Sequence, residues 1–475
     1  MAYRYGDRNQ LALFPPCVDD FVPKDAAVRA YDAMVDVLDF KELGIDIDPD
    51  NVGNPQYDPR AMLKLLVYGT SYGIRSSRKL EREVCYNVSF MWLVGQLKPD
   101  HKTIAEFRRK NKKAIAKVLR QCARMCIKLG LVEGNTLFVD GSKIRANASL
   151  KNRWTKERCE EAIKKADERI REILEECEKT DLLEKDHPSL VRLNKDLASR
   201  EALKAKVQDI LKELKDEDKK EHNTTDPDST AVHNRQGTYQ GYNAQIVVDE
   251  KHGLIVSSAA VNDSNDLKQF AKQIDKANET LEAPCKTACA DSGYAIPEEL
   301  SKIDQKDINV VVPSQRQASG IKPGRFDKDN FIFDKDSNSF ICPEGHALVL
   351  HHSDRTSRSN EYRMGNPHNC LKCRHYGSCT KNKRGRVVRR LWNEDLRLHF
   401  ENEYSKPESQ SIYKLRQQKV EHPFGHIKRN LKFDSCLMRG IDGANAETSL
   451  AATCFNMARM ITMLGVTGLI QKLRH

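Results

Sequence analysis

Asn135-Thr-Leu-Phe-Val-Asp-Gly-Ser-Lys-Ile-Arg145 is the stretch that decides the predicted fold. Its apolar run at 137–139 consists of strand-forming residues with glycine on both sides, which predicts a short, buried central strand. Asp140 then lies at the end of that strand. A carboxylate beside glycine and serine at such a hydrated edge suits a metal ion, although a simple turn at Asp140 explains this stretch equally well.

The composition is that of a globular protein with real cores. The chain has 475 residues, of which 39% are hydrophobic, so about two to four domains are expected. Lys and Arg number 79 against 68 acidic residues, and this net charge of +11 favours a polyanionic partner. We expect a cytoplasmic protein without membrane contact, because the N-terminus lacks an apolar signal core and no stretch approaches about 20 apolar residues. The 14 cysteines should be reduced, so clustered ones are candidate metal ligands.

Residues 1–115 are predicted to form an all-α domain, followed by a connecting helix at 116–134. Asp58-Pro59 is a typical helix start. The spacing of Thr103 and Glu106 predicts a capping box at a later helix.

The helical domain carries basic ridges, in which Arg108 and Arg109 are candidate DNA contacts. Clustered Lys and Arg on one helix face are typical of a phosphate-binding surface. A solvated helix face explains such a run of charge as well, so both interpretations stay open.

Residues 150–222 are predicted to form a helical hairpin inserted into a domain that starts at residue 135. Positions 151–222 hold 19 Lys or Arg and 20 Asp or Glu, and apolar residues recur at helical spacing on two long segments. The turn between them is expected at Asp186-His187-Pro188. The balanced charge favours a packing or dimerisation arm over a phosphate-binding surface.

The remaining elements predict a mixed α/β sheet with helices on its faces. Residues 241–261 have the pattern of a β-hairpin, and 262–266 are expected to cap the next helix. A second apolar strand, 287–290, ends in Asp291, followed by serine and glycine. Asp140 and Asp291 therefore close two separate strands.

Residues 314–400 are predicted to be an irregular, basic insertion. Within 351–390 there are 11 Lys or Arg against two acidic residues. Arg389 and Arg390 are the candidate DNA contacts of this segment.

The same insertion contains a candidate zinc site. Cys342, Cys370, Cys373 and Cys379 have the spacing C-x27-C-x2-C-x5-C, and four thiolates can close a tetrahedral, structural zinc site. Such binding could contribute ~10 kcal/mol or more to ordering the segment. The spacing has a single C-x2-C pair, so four unliganded thiols on a loop are the alternative.

A helix is predicted from residue 411, and it places Glu421 and Lys428 seven residues apart on one face. This pair could hold a metal ion and a DNA phosphate side by side. A surface ion pair is the plainer interpretation. The final helix, 444–464, has an apolar face that should pack on the sheet.

Three segments together resemble the DDE transposases of bacterial insertion sequences: Phe138-Val-Asp140-Gly-Ser, Ala290-Asp291-Ser-Gly-Tyr294 and Val420-Glu421-His-Pro-Phe424-Gly425, with Lys428 beyond. Shorter similarities extend the resemblance over nearly the whole chain, at Ser76-Ser-Arg78-Lys-Leu80, 99–108, Asp226-Pro-Asp228, Gly241-Tyr-Asn243-Ala-Gln245 and Arg439-Gly440. The resemblance implies an RNase H-like domain at 135–475 that the segments 150–222 and 314–400 interrupt.

The resemblance also implies a reaction. Asp140, Asp291 and Glu421 would bind two Mg²⁺ ions, for which Mn²⁺ can substitute, and catalyse DNA cleavage and strand transfer. The implied partners are terminal inverted repeats and target DNA, bound by a homodimer or higher homo-oligomer associated with the bacterial nucleoid.

Tyr413, Arg416 and Lys428 correspond to the DNA-binding residues of a related pattern, Tyr-x2-Arg-x3-Glu-x6-Lys. Lys428 keeps the expected spacing from Glu421, whereas Arg416 is five residues before it instead of four. One extra residue rotates Arg416 and Tyr413 by about 100° around an ideal helix.

Two other functions fit the same residues. One is a non-catalytic, zinc-stabilised DNA-binding protein derived from a transposase. The other is a nuclease with the same acidic triad that never joins strands. Both would bind DNA, and only metal-dependent cleavage and joining separate them from a transposase.

Overall fold

A computed structural model of the chain describes the residues 17–47, 56–181, 188–234, 237–320 and 324–474. Within them, the side chains of 177–194 and 234 are not described. The turn predicted at Asp186 and His187 lies outside the described residues. The mixed α/β architecture with a helical N-terminal region is confirmed.

Helices occupy most of the described N-terminal region. They are α1 Ala27–Asp36, α2 Phe40–Leu43, α3 Pro59–Ser71, α4 Ser77–Tyr86, α5 Val88–Leu93, α6 His101–Lys110, α7 Lys112–Ile115 and α8 Val118–Lys128. Asp58 caps α3 as predicted, because its carboxylate accepts a hydrogen bond from the Arg60 N–H at 2.9 Å. The capping box predicted at Thr103 is wrong. Asp100 is the N-cap of α6, and it accepts from the Thr103 N–H at 2.7 Å.

The central sheet is built from strands of the second part of the chain. The first eight strands of the chain are β1 Thr136–Arg145, β2 Arg153–Thr155, β3 Glu221–Asn223, β4 Thr230–Asn234, β5 Gly237–Asp249, β6 Ile255–Val261, β7 Thr287–Cys289 and β8 Asn309–Val311. All of them except β2 and β3, which form a separate ribbon, belong to the central sheet. Both β4 and β6 pair with β5, β5 pairs antiparallel with β1, and β7 and β8 follow as parallel strands. The predicted hairpin at 241–261 is confirmed as β5 and β6.

The helices between these strands are α9 Lys156–Asp181, α10 Pro188–Asp216, α11 Phe270–Leu281 and α12 Pro297–Asp304, and α13 Gln315–Ala318 follows β8. The two long helices predicted for 150–222 are α9 and α10, which pack on each other above the ribbon of β2 and β3. The cap predicted at 262–266 is wrong, since α11 starts only at Phe270. The Asp266 carboxylate instead accepts hydrogen bonds from the side chains of Asn243 and Gln245 on β5.

Residues 314–400 contain a second, antiparallel sheet, so the prediction of an irregular segment is wrong. Its order is β13-β12-β11-β10-β9, with β9 Ile332–Asp334, β10 Ser339–Ile341, β11 Ala347–Asp354, β12 Ser359–Met364 and β13 Val387–Leu391. These strands are three to eight residues long and bury only one face, which leaves a weak pattern in the sequence. Their separate core contains Phe331, Phe340, Leu348, Tyr362 and Val388.

The last helices are α14 Pro367–Leu371, α15 Glu394–Ser405, α16 Pro407–Arg429 and α17 Ile441–Arg474. α16 is continuous through Pro423, which is buried. By length and composition α17 could cross a membrane, contrary to the expectation that no such stretch exists. It packs against β6, α1, α3 and α8, and its residues up to Met460 line the core, so here it serves as a core helix.

The N-terminal helices and the central sheet share one continuous hydrophobic core. Arg75 lies at their junction, where its guanidinium donates to the Ser435 carbonyl at 2.6 Å and covers the Phe433 ring. The same guanidinium is 3.6 Å from the carboxylate of Glu447, which is 5% exposed. A buried ion pair therefore joins the helical region to α17.

Candidate active site

Asp140 lies in the middle of β1, which corrects the prediction that it ends a short strand. β1 continues because β5 provides a backbone partner for every residue from 137 to 145. The parallel neighbour β7, in contrast, ends opposite Phe138. Asp140 thus lies two residues after the last residue of β1 that pairs with β7. On that side, β1 has no partner at Asp140 among the described strands.

Asp291 follows β7 as predicted and caps the short 3₁₀ turn Ser292–Tyr294. Its carboxylate accepts a hydrogen bond from the Gly293 N–H at 2.8 Å. Ends of neighbouring parallel strands meet at one edge of a sheet, which is the usual place for a ligand in an open α/β sheet. The chain therefore delivers Asp140 and Asp291 to the same edge.

One guanidinium nitrogen contacts both aspartates. Nη2 of Arg416, on α16, is 2.9 Å from Asp140 Oδ1 and 3.3 Å from Asp291 Oδ2. The side chains of Arg416 and Asp140 are 13% and 17% exposed, whereas that of Asp291 is 40% exposed. Both carboxylates thus point at one cationic group, in a position that solvent reaches from the Asp291 side.

The surroundings oppose a negative charge on Asp140. Burial raises the pKa of Asp140 to about 6, Arg416 acts against that rise, and the charge of Asp291 adds to it. Burial acts to lower the pKa of Arg416, but the two carboxylates together raise it above its ordinary value. A site of this kind favours the binding of further positive charge.

Lys428 approaches the same strand from the following turns of α16. Its ammonium donates to Ser142 Oγ at 2.5 Å and to the Lys143 carbonyl at 3.2 Å. Glu421 lies between Arg416 and Lys428 on this helix, but its side chain is exposed and forms no ion pair with a described residue. The described residues contain no cluster of three or more His, Cys, Asp or Glu side chains arranged to hold a metal.

Two sequence families match the chain. The first, "Transposase domain (DUF772)", covers residues 16–110, and the second, "Transposase DDE domain", covers residues 341–461. The chain has the domains of a DDE transposase. The resemblance to DDE transposases is thereby confirmed, whereas the roles of the three acidic residues stay a prediction. Glu421 lies in the second match, and Asp140 and Asp291 lie between the two.

Two other comparisons do not extend this assignment. No curated protein matches its sequence significantly. A solved structure of the piggyBac transposase synaptic complex with hairpin DNA is similar at a TM-score of 0.33 and 8% identity, over 95% of this chain and 79% of that chain. At this TM-score the similarity does not establish a shared fold.

The predicted DNA contacts of the chain fall into two groups. Arg108 and Arg390 are engaged within the chain: Arg108 donates to the Arg75 carbonyl at 2.8 Å, and Arg390 pairs with Asp395 while 12% exposed. Arg109 and Arg389 are 66% and 74% exposed. Their partners are nearby acidic residues, Glu106 and Glu361.

Tyr413 and Arg416 do not face outward as a DNA-binding pair. Tyr413 is half-buried on α16 and packs edge-to-face on Tyr404, with ring centroids 5.3 Å apart. Arg416 is occupied by the two aspartates. The one-residue departure from the related spacing is consistent with this inward orientation.

The four predicted zinc ligands line one cavity beside the second sheet. Three of their sulfurs accept backbone N–H groups: Cys342 from His346 at 3.3 Å, Cys370 from Arg386 at 3.4 Å and Cys373 from His375 at 3.4 Å. Burial raises the pKa of Cys379, and the other three thiols add to the rise. The structure brings the thiols together without establishing a zinc site.

Sequence reasoning missed a polar group beneath the two aspartates. Gln245 and Asn243 are fully buried on β5, and they contact Asp266 and, through Gln245, Tyr294. The available signal was the spacing of Asn243 and Gln245, two residues apart and hence on one face of an otherwise apolar strand.

Proposed function

We propose that this transposase binds the ends of an insertion sequence and catalyses metal-dependent DNA cleavage and strand transfer. The observation that carries the proposal is the convergence of Asp140 and Asp291 on a single cationic nitrogen. Two carboxylates this close favour a divalent cation, because Mg²⁺ and Mn²⁺ prefer oxygen ligands. The residues therefore fit the metal that such a reaction requires.

The strand order supports an RNase H-like domain. β6, β5 and β1 are antiparallel neighbours in that order, and β7 and β8 continue the sheet as parallel strands. α11 and α16 lie on opposite faces, because Asp140 contacts α16 while the neighbouring Gly141 faces Tyr294, which packs on Phe270 of α11. We assign 135–475 to this domain, with the insertions named above.

Glu421 is the proposed third carboxylate. It lies on α16 between Arg416 and Lys428, both of which contact the edge formed by Asp140 and Asp291. Lys428, which shares a helix face with Glu421, already contacts β1, and this supports the assignment. Bound Mg²⁺ or Mn²⁺ ions would activate the attacking oxygen and stabilise the leaving oxygen at phosphorus.

Arg416 and Lys428 have a second proposed role in binding DNA. A guanidinium released from two carboxylates can bind a phosphate through two parallel hydrogen bonds, and an ammonium binds it as a point charge. Both residues are already at the reacting edge of the sheet. We propose that they hold the scissile phosphate there, while the exposed Arg109 and Arg389 bind flanking phosphates.

We also propose structural Zn²⁺ in the second sheet, held by Cys342, Cys370, Cys373 and Cys379. The shared cavity and the N–H groups that point at three sulfurs support thiolate ligands, because such donors stabilise negative charge on sulfur. The transposase is proposed to act on terminal inverted repeats and target DNA as a homo-oligomer, in the bacterial cytoplasm at the nucleoid.

The test is cleavage of the element's own end DNA in Mg²⁺, run beside a binding assay. We expect wild type to cut, and Asp140→Asn and Glu421→Gln to bind equally well but cut at least about 10³-fold more slowly. Glu408→Gln is the matched control, since Glu408 is an exposed acid on the same helix. Cleavage by Glu421→Gln at the rate of this control would show that the third carboxylate lies elsewhere.

One observation favours the non-catalytic alternative, namely that the side chain of Glu421 is exposed on α16. The same experiment decides between the two functions. If wild type binds the ends without cutting them in Mg²⁺ or Mn²⁺, the chain is a DNA-binding protein derived from a transposase. Cleavage without joining of the released 3′ ends would instead indicate a nuclease.

A further inference from the structure

A chain of hydrogen-bonded side chains lies next to the proposed metal site, and the proposed reaction assigns no role to any of them. The Tyr294 hydroxyl donates to Gln245 Oε1 at 2.6 Å, and Gln245 Nε2 donates to Asp266 Oδ1 at 2.7 Å. Asn243 Nδ2 donates to the same Asp266 oxygen at 2.6 Å. Tyr294, Gln245 and Asn243 are at most 1% exposed.

The two amide nitrogens determine the orientation of Gln245. Asp266 Oδ1 accepts from the side-chain nitrogens of both Asn243 and Gln245. The amide oxygen of Gln245 is then left to face Tyr294, whose hydroxyl donates to it. Both polar ends of the Gln245 amide are thus hydrogen-bonded, which holds this side chain in one orientation.

This chain connects the two segments that carry the catalytic aspartates. Tyr294 ends the turn that Asp291 caps, while Gln245 is the direct partner of Gly141 on the strand that carries Asp140. The hydroxyl of Tyr294 thus ties the turn after β7 to the centre of the sheet, one residue from Asp140.

The groups of this hydrogen-bonded chain pack closely around Gly141 of β1. A Cβ atom at Gly141 would be 2.4 Å from Gln245 Nε2, 2.6 Å from Asp266 Oδ1 and 3.0 Å from the Tyr294 hydroxyl. Glycine is needed here because three polar groups converge on its Cα. The Tyr294 turn, Gln245 and Asp266 therefore pack directly against the backbone of β1 at Gly141, one residue from Asp140.

We propose that Tyr294, Gln245 and Asp266 are positioning residues that set the separation of Asp140 and Asp291 for divalent cations. This inference rests on the proposed function of the two aspartates. The three residues touch neither metal nor DNA, and act through the backbone segments they connect. Outer groups of this kind typically change metal affinity by 10–100-fold when they are removed.

The test compares two buried phenols. Tyr294→Phe removes the hydroxyl that joins the segments, and Tyr242→Phe removes an equally buried hydroxyl of the same sheet, which donates to Asp226 at 2.7 Å. Mn²⁺ affinity of the full chain is measured without DNA, from the electron paramagnetic resonance signal of free Mn²⁺. We expect Tyr294→Phe to weaken Mn²⁺ binding about 10-fold and Tyr242→Phe to leave it unchanged, with similar losses in melting temperature.

The outcomes separate this inference from the proposed function. Asp140→Asn must weaken Mn²⁺ binding, and if it does not, the metal site itself is misplaced. If Asp140→Asn does so while Tyr294→Phe binds like wild type, or while both phenylalanine variants lose affinity equally, the positioning role is overturned and the metal site stands. Should Tyr294→Phe fail to fold, Asp266→Asn tests the far end of the chain, where wild-type affinity would also overturn the proposal.

The same variants should also differ in the cleavage assay. A weakened metal site raises the Mg²⁺ concentration for half-maximal cleavage, and saturating Mg²⁺ restores the rate. We expect this behaviour for Tyr294→Phe alone. A rate that stays low at saturating Mg²⁺ would show that the hydroxyl acts on another step and would overturn the proposed role.

Discussion

At the scale of single residues, Asp140 makes the metal-free protein less stable once it ionises. Its pKa is about 6 in the folded chain, against an ordinary value of 3.8, chiefly because it is buried. Between these pH values the folded chain binds a proton that the unfolded chain has released. The free energy of unfolding therefore falls as the pH rises through this window, by up to about 3 kcal/mol from this group.

Asp140→Asn should remove that pH-dependent loss. We expect the variant to gain up to about 3 kcal/mol relative to wild type when the pH is raised from about 4 to about 7, as measured by urea unfolding in a chelator. The effect of losing the contact with Arg416 is included in this net value. A difference between variant and wild type that is constant over the pH range would contradict the assigned shift.

The sequence revealed the two aspartates but not their partner. Asp140 and Asp291 each follow a short run of apolar residues, and that local pattern is visible without a structure. The contact of Arg416 with both depends on how α16 packs across the sheet, which spacing along one helix does not determine. For the same reason Asp266 was assigned to a helix cap, whereas it binds Asn243 and Gln245.

At the scale of elements, the second sheet has a core too small to account for its order alone. Its buried apolar residues form a cluster separate from the main core. We expect the purified protein to contain about one zinc ion per chain, as measured by elemental analysis, and Cys373→Ser to lower this below about half. Removal of zinc by a chelator should lower the melting temperature, because metal binding contributes to folding.

Cys85→Ser is the matched control for this prediction. Cys85 and Cys373 are both half-buried thiols, but Cys85 lies on α4, away from the four clustered cysteines. It should leave the zinc content unchanged. If the wild-type protein contains no zinc and its melting temperature is unchanged by the chelator, a structural zinc ion is excluded.

Sequence patterns predicted some elements well and others poorly, for physical reasons. α9, α10, α16 and the β5–β6 hairpin have long periodic or apolar patterns, and all were expected. The strands of the second sheet are short, and the basic residues around them mask their alternation. Pro423 disfavours helical geometry at His422 and so favours a kink or a helix start there, but α16 continues through it, with Pro423 and Phe424 both buried.

At the scale of the whole molecule, the helical N-terminal region packs against the part that contains the central sheet. The two share one core, and Arg75 pairs with the buried Glu447 across their junction. Breaking a buried pair by removing one partner typically costs several kcal/mol. DNA held by the N-terminal helices would thus be fixed relative to Asp140 and Asp291, which suits a reaction at a defined distance from the bound end.

The α9–α10 hairpin stands apart from that shared core, and we expect it to join two protomers. Its base has its own cluster, Cys159, Val207, Ile210 and Leu214, whereas Leu174 farther out is 46% exposed. Deleting 172–198 and joining the ends with two glycines keeps the base and removes the outer part.

The shortened chain should fold, bind a single DNA end with the affinity of wild type, and fail to pair two ends. The measurement is the mass of the protein–DNA complex by light scattering after gel filtration, with the melting temperature as the check on folding. We expect two protomers and two ends for wild type, and one of each for the shortened chain. An unchanged complex would mean that the outer hairpin does not join protomers, and pairing would then depend on other surfaces such as the second sheet.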